Sequence, residues 1–178
     1  MRDRIPLSGS EALRNPEGLE RRIPAKAECD GKRVVVVPPQ DMCVIRSGQN
    51  WSLCDDHEKS WYLKKMHPVL LDGMRFLSDH PDETNCYSLR FVTKTDEAWQ
   101  PVEQSFGLGY AADVYAFEEW AKSHPTHLAI FARFQQMVDE FGDAMKLRLW
   151  HEVTALPANG CEFEYLACHP ETGLLGYV

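Results

Sequence analysis

Two histidines able to bind a metal or move a proton lie three residues apart in the stretch SHPTHLAIF, residues 123–131. A neutral imidazole is a common metal ligand, and the same ring exchanges a proton near neutral pH. An apolar run follows the second histidine. On a helical wheel of about 100° per residue with His127 at 0°, Phe131 lies near 40° and Ile130 near −60°. His127 therefore faces the predicted core, whereas His124 lies at the edge of that face.

A further histidine lies on the inward face of a predicted strand. In KLRLWHEVTALP, residues 146–157, alternate side chains from Leu147 to Ala155 are apolar, and His151 belongs to that set. An imidazole with a pKa in the mid-acid range suits proton transfer. Two imidazoles on different elements that face one interior predict a lined cavity.

The residues alone leave several interpretations open. A histidine on an apolar face is often a core residue that hydrogen-bonds a carbonyl, and this holds for His127 and His151 alike. The alternative for His127 is an axial ligand of a metal or haem in an apolar pocket. A zinc site on His124 and His127 is the third interpretation, but no cysteine or carboxylate cluster completes it. Ser47, on the inward face of another predicted strand, either offers a hydroxyl to the interior or bonds the backbone.

The predicted elements that must position these side chains follow a defined order. From residue 42 they are strand 42–51, helix 55–80, strands 85–93 and 103–111, helix 113–142 broken at Pro125, and strand 146–157. This βαββαβ order predicts a ferredoxin-like α+β fold, with an antiparallel sheet and both helices on one face. We expect additional strands at 32–39 and 161–170. A second sheet, from this chain or another, would have to cover the other face and would complete an α+β barrel around a cavity.

Composition excludes some classes of function. The formal net charge of −8 argues against a nucleic-acid partner, since phosphate binders usually present a basic face. No apolar run approaches the ~20 residues of a membrane helix, and the polar N-terminus does not resemble a secretory signal, so we expect a cytoplasmic protein. The six cysteines contain no C-x-x-C pair and are expected to be reduced thiols.

Six stretches, in this order and spacing, resemble the aldoxime dehydratases, which are haem-containing dehydratases. They are MRDRIPLS (1–8), CVIRSGQNW (43–51), SFGLGY (105–110), SHPTHLAIF (123–131), LRLWHEV (147–153) and FEYLACHPETG (163–173). The resemblance implies a lyase that converts an aldoxime into a nitrile and water on haem b (iron protoporphyrin IX), whose ferrous iron binds the oxime nitrogen. It implies that His127 is the axial iron ligand, and that Ile130 and Phe131 belong to the haem pocket.

The same resemblance implies catalytic roles for three further residues. His151 would be the distal general acid and base, and Ser47 would hydrogen-bond the substrate hydroxyl. Arg4 matches the distal arginine, and Arg2 takes its place if the alignment shifts within the Arg-Asp-Arg repeat. These residue types suit the reaction, because hydroxide leaves poorly unless a proton reaches it as the N–O bond breaks.

The resemblance covers the second half of the family's chains, whose first half looks like another ferredoxin-like repeat. It implies that residues 1–33 are an irregular linker from a missing N-terminal repeat, and that residues 34–178 form the haem-binding catalytic domain. Without that repeat, an apolar sheet face with the haem site on it would be open to solvent. We expect a small-molecule aldoxime as substrate, and a homodimer or a separate N-terminal half as partner. The alternatives are a non-catalytic haem- or small-ligand-binding α+β barrel protein and an inactive truncated fragment.

Overall fold

The computed structural model describes the backbone of residues 25–30 and residues 33–157, 159 and 161–178. Within these residues the strands are β1 Ala25–Asp30, β2 Arg33–Val37, β3 Met42–Asn50, β4 Cys86–Thr95, β5 Pro101–Ala111, β6 Arg148–Leu156 and β7 Phe163–Leu166. The helices are α1 Asp56–Trp61, α2 His67–Asp79, α3 Pro81–Thr84, α4 Val114–Ser123 and α5 Pro125–Phe141. A π-helical turn joins α1 to α2 at Tyr62–Met66, and 3₁₀ turns span Gly142–Ala144 and Gly173–Tyr177.

The strands form two antiparallel sheets. The main sheet has the order β4-β5-β3-β6, and β1-β2-β7 form a smaller one. The predicted α+β class with antiparallel sheets is thus confirmed. One detail differs from expectation, because Ala25–Asp30 forms a strand inside the segment expected to be irregular. The strand expected at residues 161–170 is present as β7, and it pairs with β2 in the smaller sheet. β1 pairs with the next strand in the chain as a hairpin, whereas the pairing of β7 with β2 joins distant segments, which local periodicity does not reveal.

The long helix predicted at residues 55–80 is interrupted before Pro68. Asp55 caps α1 by accepting a hydrogen bond from the backbone N–H of Glu58. The backbone N–H of His67 then donates a hydrogen bond to the carbonyl of Tyr62, five residues back. This bond makes one π-helical turn, which is wider than a turn of α-helix. Proline has no N–H and cannot continue the ladder, so the irregular turn lies where the sequence predicted a kink.

The predicted break at Pro125 is confirmed between α4 and α5. His124 has extended backbone angles, and its Nδ1 accepts a hydrogen bond of 3.3 Å from the N–H of Thr126, so it is the N-cap of α5. Pro125 occupies the first helical position, where a missing N–H costs nothing. The start of α5, and so the direction of His127, is fixed by this turn.

The helices cover one face of the main sheet and build the core there. Leu77 of α2 and Phe117 of α4 pack on Cys43, Cys86 and Ala111 from three strands. A second cluster, around Trp51, Trp61, Tyr62, Met66 and Met137, joins α5 to the π-helical turn. The start of β6 is held by Glu58, whose buried carboxylate accepts hydrogen bonds of 2.8 Å from the N–H groups of Lys146 and Leu147.

The outer face of the main sheet is partly polar. The indole of Trp150 lies flat against Gly48 and donates a 3.1 Å hydrogen bond to Glu152, which also accepts one of 2.5 Å from Arg46. The guanidinium of Arg46 lies 5.6 Å from the ring centroid of Phe106. At one end, Leu174 covers this face.

Gly48 separates the candidate residue Ser47 from Gln49, and we expect substitution there to destabilise the sheet. A Cβ at this position would lie 2.2 Å from the Trp150 ring, which its bond to Glu152 holds in place. Gly48→Ala should therefore lower the free energy of unfolding by about 1–3 kcal/mol in urea titrations. In the control Gly176→Ala the nearest atom is 3.9 Å away, and a change below about 0.5 kcal/mol is expected. Equal effects of the two substitutions would refute this account of Gly48.

Candidate functional site

A large cavity lies between the main sheet and the helices α2, α4 and α5. Its volume is about 680 Å³, within the range of roughly 300–1,000 Å³ usual for small-molecule sites. The wall is mostly apolar. The polar side chains that line it are Ser47, Gln49, Glu118, Lys122, His127 and His151. An apolar cavity with a few convergent polar groups is the usual form of a binding site.

His127 enters this cavity from the first turn of α5. Its ring is half-buried and packs edge-on against Trp120, with ring centroids 4.8 Å apart. Burial lowers the pKa of His127, the backbone of Ala121 opposes this shift, and His151 adds to it. Nδ1 is buried without a hydrogen-bond partner of good geometry. The imidazole is therefore neutral at pH 7, as a metal ligand must be.

A hydrogen-bonded network at the α4–α5 junction holds Trp120 against His127. The indole N–H of Trp120 donates to the hydroxyl of Thr126 over 3.1 Å, and that hydroxyl lies 2.9 Å from Nδ1 of His124. His124 also stacks on Phe76, with ring centroids 3.9 Å apart. His124 does not line the cavity, so its role is to cap α5 and pack it against α2.

His151 and Ser47 are direct neighbours on adjacent strands. They are paired across β3 and β6, so their Cβ atoms are expected about 4.5–5.5 Å apart on the same face. Burial against the apolar wall lowers the pKa of His151, although part of the ring is open to solvent. His127 and His151 line the same cavity and lie near enough for their charges to interact. A positive charge on His151 therefore disfavours protonation of His127.

The lowered histidine pKa values predict a pH dependence of stability. Burial lowers the pKa of His67, His127 and His151 below the unfolded value near 6.5. The unfolded chain then binds more protons than the folded chain as pH falls through 6.5, so stability falls with it. Urea midpoints should drop between pH 7.5 and 5.5, and His67→Phe should flatten that drop. A midpoint that stays constant or rises over this range would contradict the prediction.

The cavity lies on the helix-covered face of the main sheet, which corrects one expectation. The sequence predicted an uncovered sheet face carrying the haem site, whereas Ser47 and His151 point toward the helices and the opposite face carries Arg46, Trp150 and Glu152. Alternation along the strands separates two faces but does not say which one the helices cover.

The other predicted site residues are Ile130, Phe131 and Arg4, and only the first two lie within the described residues. Ile130 and Phe131 line the cavity, and Phe131 is 59% exposed at its mouth. Arg4, and Arg2 as its alternative, lie outside the described residues. Sequence reasoning missed Gln49, which lies on the same strand face as Ser47; this two-residue spacing was the available signal.

The residues present fit a flat, largely apolar cofactor that needs one imidazole. Within the described part of the chain no three His, Cys, Asp or Glu side chains cluster closely enough to hold a metal ion without a cofactor. His127 instead presents a single neutral imidazole to an apolar wall, which suits a haem iron. Gly107 lets Met74 pack closely on the cavity floor, because a Cβ there would lie 2.9 Å from Sδ of Met74. No helix in the described residues is long and apolar enough to cross a membrane.

Comparison with known proteins finds dehydratases both among family models and among individual relatives. Residues 1–174 match the family model of the haem-containing dehydratases. The chain is 37% identical over 177 residues to the phenylacetaldoxime dehydratase of Bacillus sp. (strain OxB-1), covering 99% of this chain and 50% of that protein. It is 39% identical over 175 residues to the aliphatic aldoxime dehydratase of Pseudomonas chlororaphis, covering 98% and 48% respectively.

Solved structures agree with these relatives. A crystal structure of an aldoxime dehydratase superposes with a TM-score of 0.80 at 38% identity, covering 88% of this chain and 45% of that one. Another, in complex with butyraldoxime, gives a TM-score of 0.81 at 38% identity, covering 88% and 44%. The chain thus spans about half the length of the relatives it matches. On this evidence, the chain belongs to the haem-containing dehydratase family.

Proposed function

We propose that this chain holds haem b through His127 and supplies Ser47 and His151 to the dehydration of an aldoxime. The observation that carries the proposal is that His127 lies on one wall of an apolar cavity, while Ser47 and His151 lie together on another. The butyraldoxime bound to a relative supports an alkyl aldoxime as substrate class. Ile130 and Phe131 are proposed to pack against the haem.

The proposed chemistry divides between the cofactor and the side chains. When bound through His127, haem would supply a ferrous iron able to coordinate the oxime nitrogen and to lend electron density to N–O cleavage. Protonated His151 delivers a proton from a ring nitrogen to the leaving hydroxyl, which departs as water. Its lowered pKa makes the imidazolium a stronger acid, and it leaves most His151 rings neutral at pH 7. Ser47 hydrogen-bonds the oxime oxygen and orients it.

The proton on the aldoxime carbon is the second one to be transferred, and it restores protonated His151. Once His151 has given up its proton, its neutral ring accepts the hydrogen of the aldoxime carbon, and the nitrile forms. One proton is given and one is taken, so R–CH=N–OH yields R–C≡N and H₂O without net proton uptake. The apolar wall excludes water from the reacting atoms. Arg4 is proposed to assist Ser47 at the oxime hydroxyl, on the family resemblance alone.

Fold and assembly are part of the same proposal. The strand order β4-β5-β3-β6, with the helices on one face, supports a ferredoxin-like βαββαβ unit that forms half of an α+β barrel. Residues 1–33 would be the linker and residues 34–178 the haem-binding domain. A second copy or a separate half is proposed to pack on the outer sheet face. A cytoplasmic location stays a prediction.

The test is nitrile formation by the haem-loaded chain. The protein is reconstituted with haem, reduced with dithionite and given butyraldoxime, and butyronitrile is measured by gas chromatography. We expect nitrile from the reduced sample and little from the oxidised one. Haem binding without nitrile would favour the non-catalytic haem protein, and absence of both would favour the inactive fragment.

A further inference from the structure

Gln49 is a buried amide with no role in the chemistry described so far. It belongs to the stretch CVIRSGQNW and is only 2% exposed. Its Nε2 lies 2.7 Å from the carbonyl oxygen of Ser47 and 3.4 Å from the Ser47 hydroxyl. Its Oε1 accepts a 2.9 Å hydrogen bond from the hydroxyl of Ser105, which is 1% exposed. A buried amide bonded at both ends is held in one orientation.

The hydrogen-bond pattern fixes which way this amide points. A carbonyl oxygen is only an acceptor, so the amide atom 2.7 Å from the Ser47 carbonyl must be the NH₂ group. Flipping the amide would bring two acceptor oxygens into repulsive contact. Oε1 then faces Ser105, whose hydroxyl must donate to it. Behind Ser105 lies the buried phenol of Tyr62; burial raises the pKa of Tyr62, and its contact with Ser105 opposes that rise.

The Gln49 NH₂ group controls where the hydroxyl hydrogen of Ser47 can point. An N–H dipole directed at the Ser47 oxygen from 3.4 Å repels a hydrogen on that side and attracts the lone pairs. The hydroxyl hydrogen is left to point away from Gln49, into the cavity where the paired residue His151 also projects.

We propose that Gln49 is a positioning residue that sets Ser47 as a hydrogen-bond donor into the cavity, with Ser105 locking the amide from behind. The inference rests on the proposed function, in which Ser47 meets the oxime oxygen. It assigns a direction to that bond: Ser47 donates to the oxime oxygen. It also explains why a buried glutamine follows Ser47 on the same strand face.

The first arm of the test needs no haem. The χ1 angle of Ser47 is measured by NMR coupling constants in the full chain without cofactor and in Gln49→Met, which keeps the length of the side chain but removes all three hydrogen bonds of the amide. We expect one Ser47 rotamer in the original chain and averaging in the variant, with Gln135→Met on the exposed side of α5 as the matched control. If Gln49→Met does not fold, Gln49→Glu replaces it, because a carboxylate still accepts from Ser105 but cannot donate to Ser47. An unchanged Ser47 rotamer would overturn the inference.

The second arm is a double-mutant cycle on the haem-loaded chain. Gln49→Met should lower kcat/KM for butyraldoxime by roughly 10- to 100-fold when Ser47 is present. In the Ser47→Ala background the same substitution should change kcat/KM by less than about 2-fold, since the group it positions is gone. Equal losses in both backgrounds would mean that Gln49 acts through general packing and would refute the assignment. If the haem-loaded original chain forms no nitrile, the proposed function fails, and the Ser47 rotamer alone decides the inference.

Discussion

The His127→Ala variant should leave gel filtration without haem, whereas the original chain should retain one haem per chain. His127 is the imidazole that projects from α5 into the apolar cavity, and its lowered pKa keeps it neutral for iron. Loss of residues that only support a metal ligand costs about 10- to 100-fold in affinity, so loss of the ligand itself should cost at least that much. The Soret absorbance of the eluted protein measures the retained haem.

The matched control for this prediction is His124→Ala. His124 caps α5 and stacks on Phe76 but does not line the cavity, so its loss should cost about 1 kcal/mol of stability and leave haem bound. Free imidazole in the buffer should restore the Soret band of His127→Ala by filling the space of the missing ring. Equal retention of haem by His127→Ala and the original chain would exclude His127 as the ligand.

The His151→Ala variant should keep haem and lose turnover. The ring lies beside Ser47 on the sheet and not on α5, so its removal leaves the proposed ligand in place. Because it is proposed to move both protons, kcat for butyraldoxime should fall by roughly 10²- to 10⁴-fold. The measurement pairs the Soret band with the rate of nitrile formation on the same sample.

Two outcomes of that experiment would contradict the division of roles. One is loss of haem from His151→Ala to the same extent as from His127→Ala, and the other is an unchanged kcat. The control His57→Ala removes a histidine side chain that is 72% exposed and outside the cavity, and it should alter neither signal.

Local periodicity was enough to predict most of the elements around the site. The apolar stripe of α5 placed His127 toward the interior, and alternation in β6 did the same for His151; both rings line one cavity in the structure. Pro125 marked the start of α5 because the ring of proline suits only the first turn of a helix. These features depend on a few neighbouring residues, which is why the sequence alone reveals them.

What the sequence did not reveal depends on contacts between distant segments. The pairing of β7 with β2 joins residues more than a hundred positions apart and has no local signature. The side of the sheet that the helices cover is likewise set by packing, so the sequence did not reveal that Ser47 and His151 lie on the covered face. Gln49 was missed because its importance comes from Ser105, which lies 56 residues away in the chain. The catalytic roles of His151, Ser47 and Arg4 remain predictions.

A crystal structure of the haem-loaded chain tests the central claim most directly. We predict electron density for haem in the cavity between β3 and α5, with the iron bonded to His127 and with His151 and Ser47 on the other side of the ring. Haem bound on the outer sheet face beside Trp150, or iron bonded to His151, His124 or Cys43 within the cavity, would contradict the account.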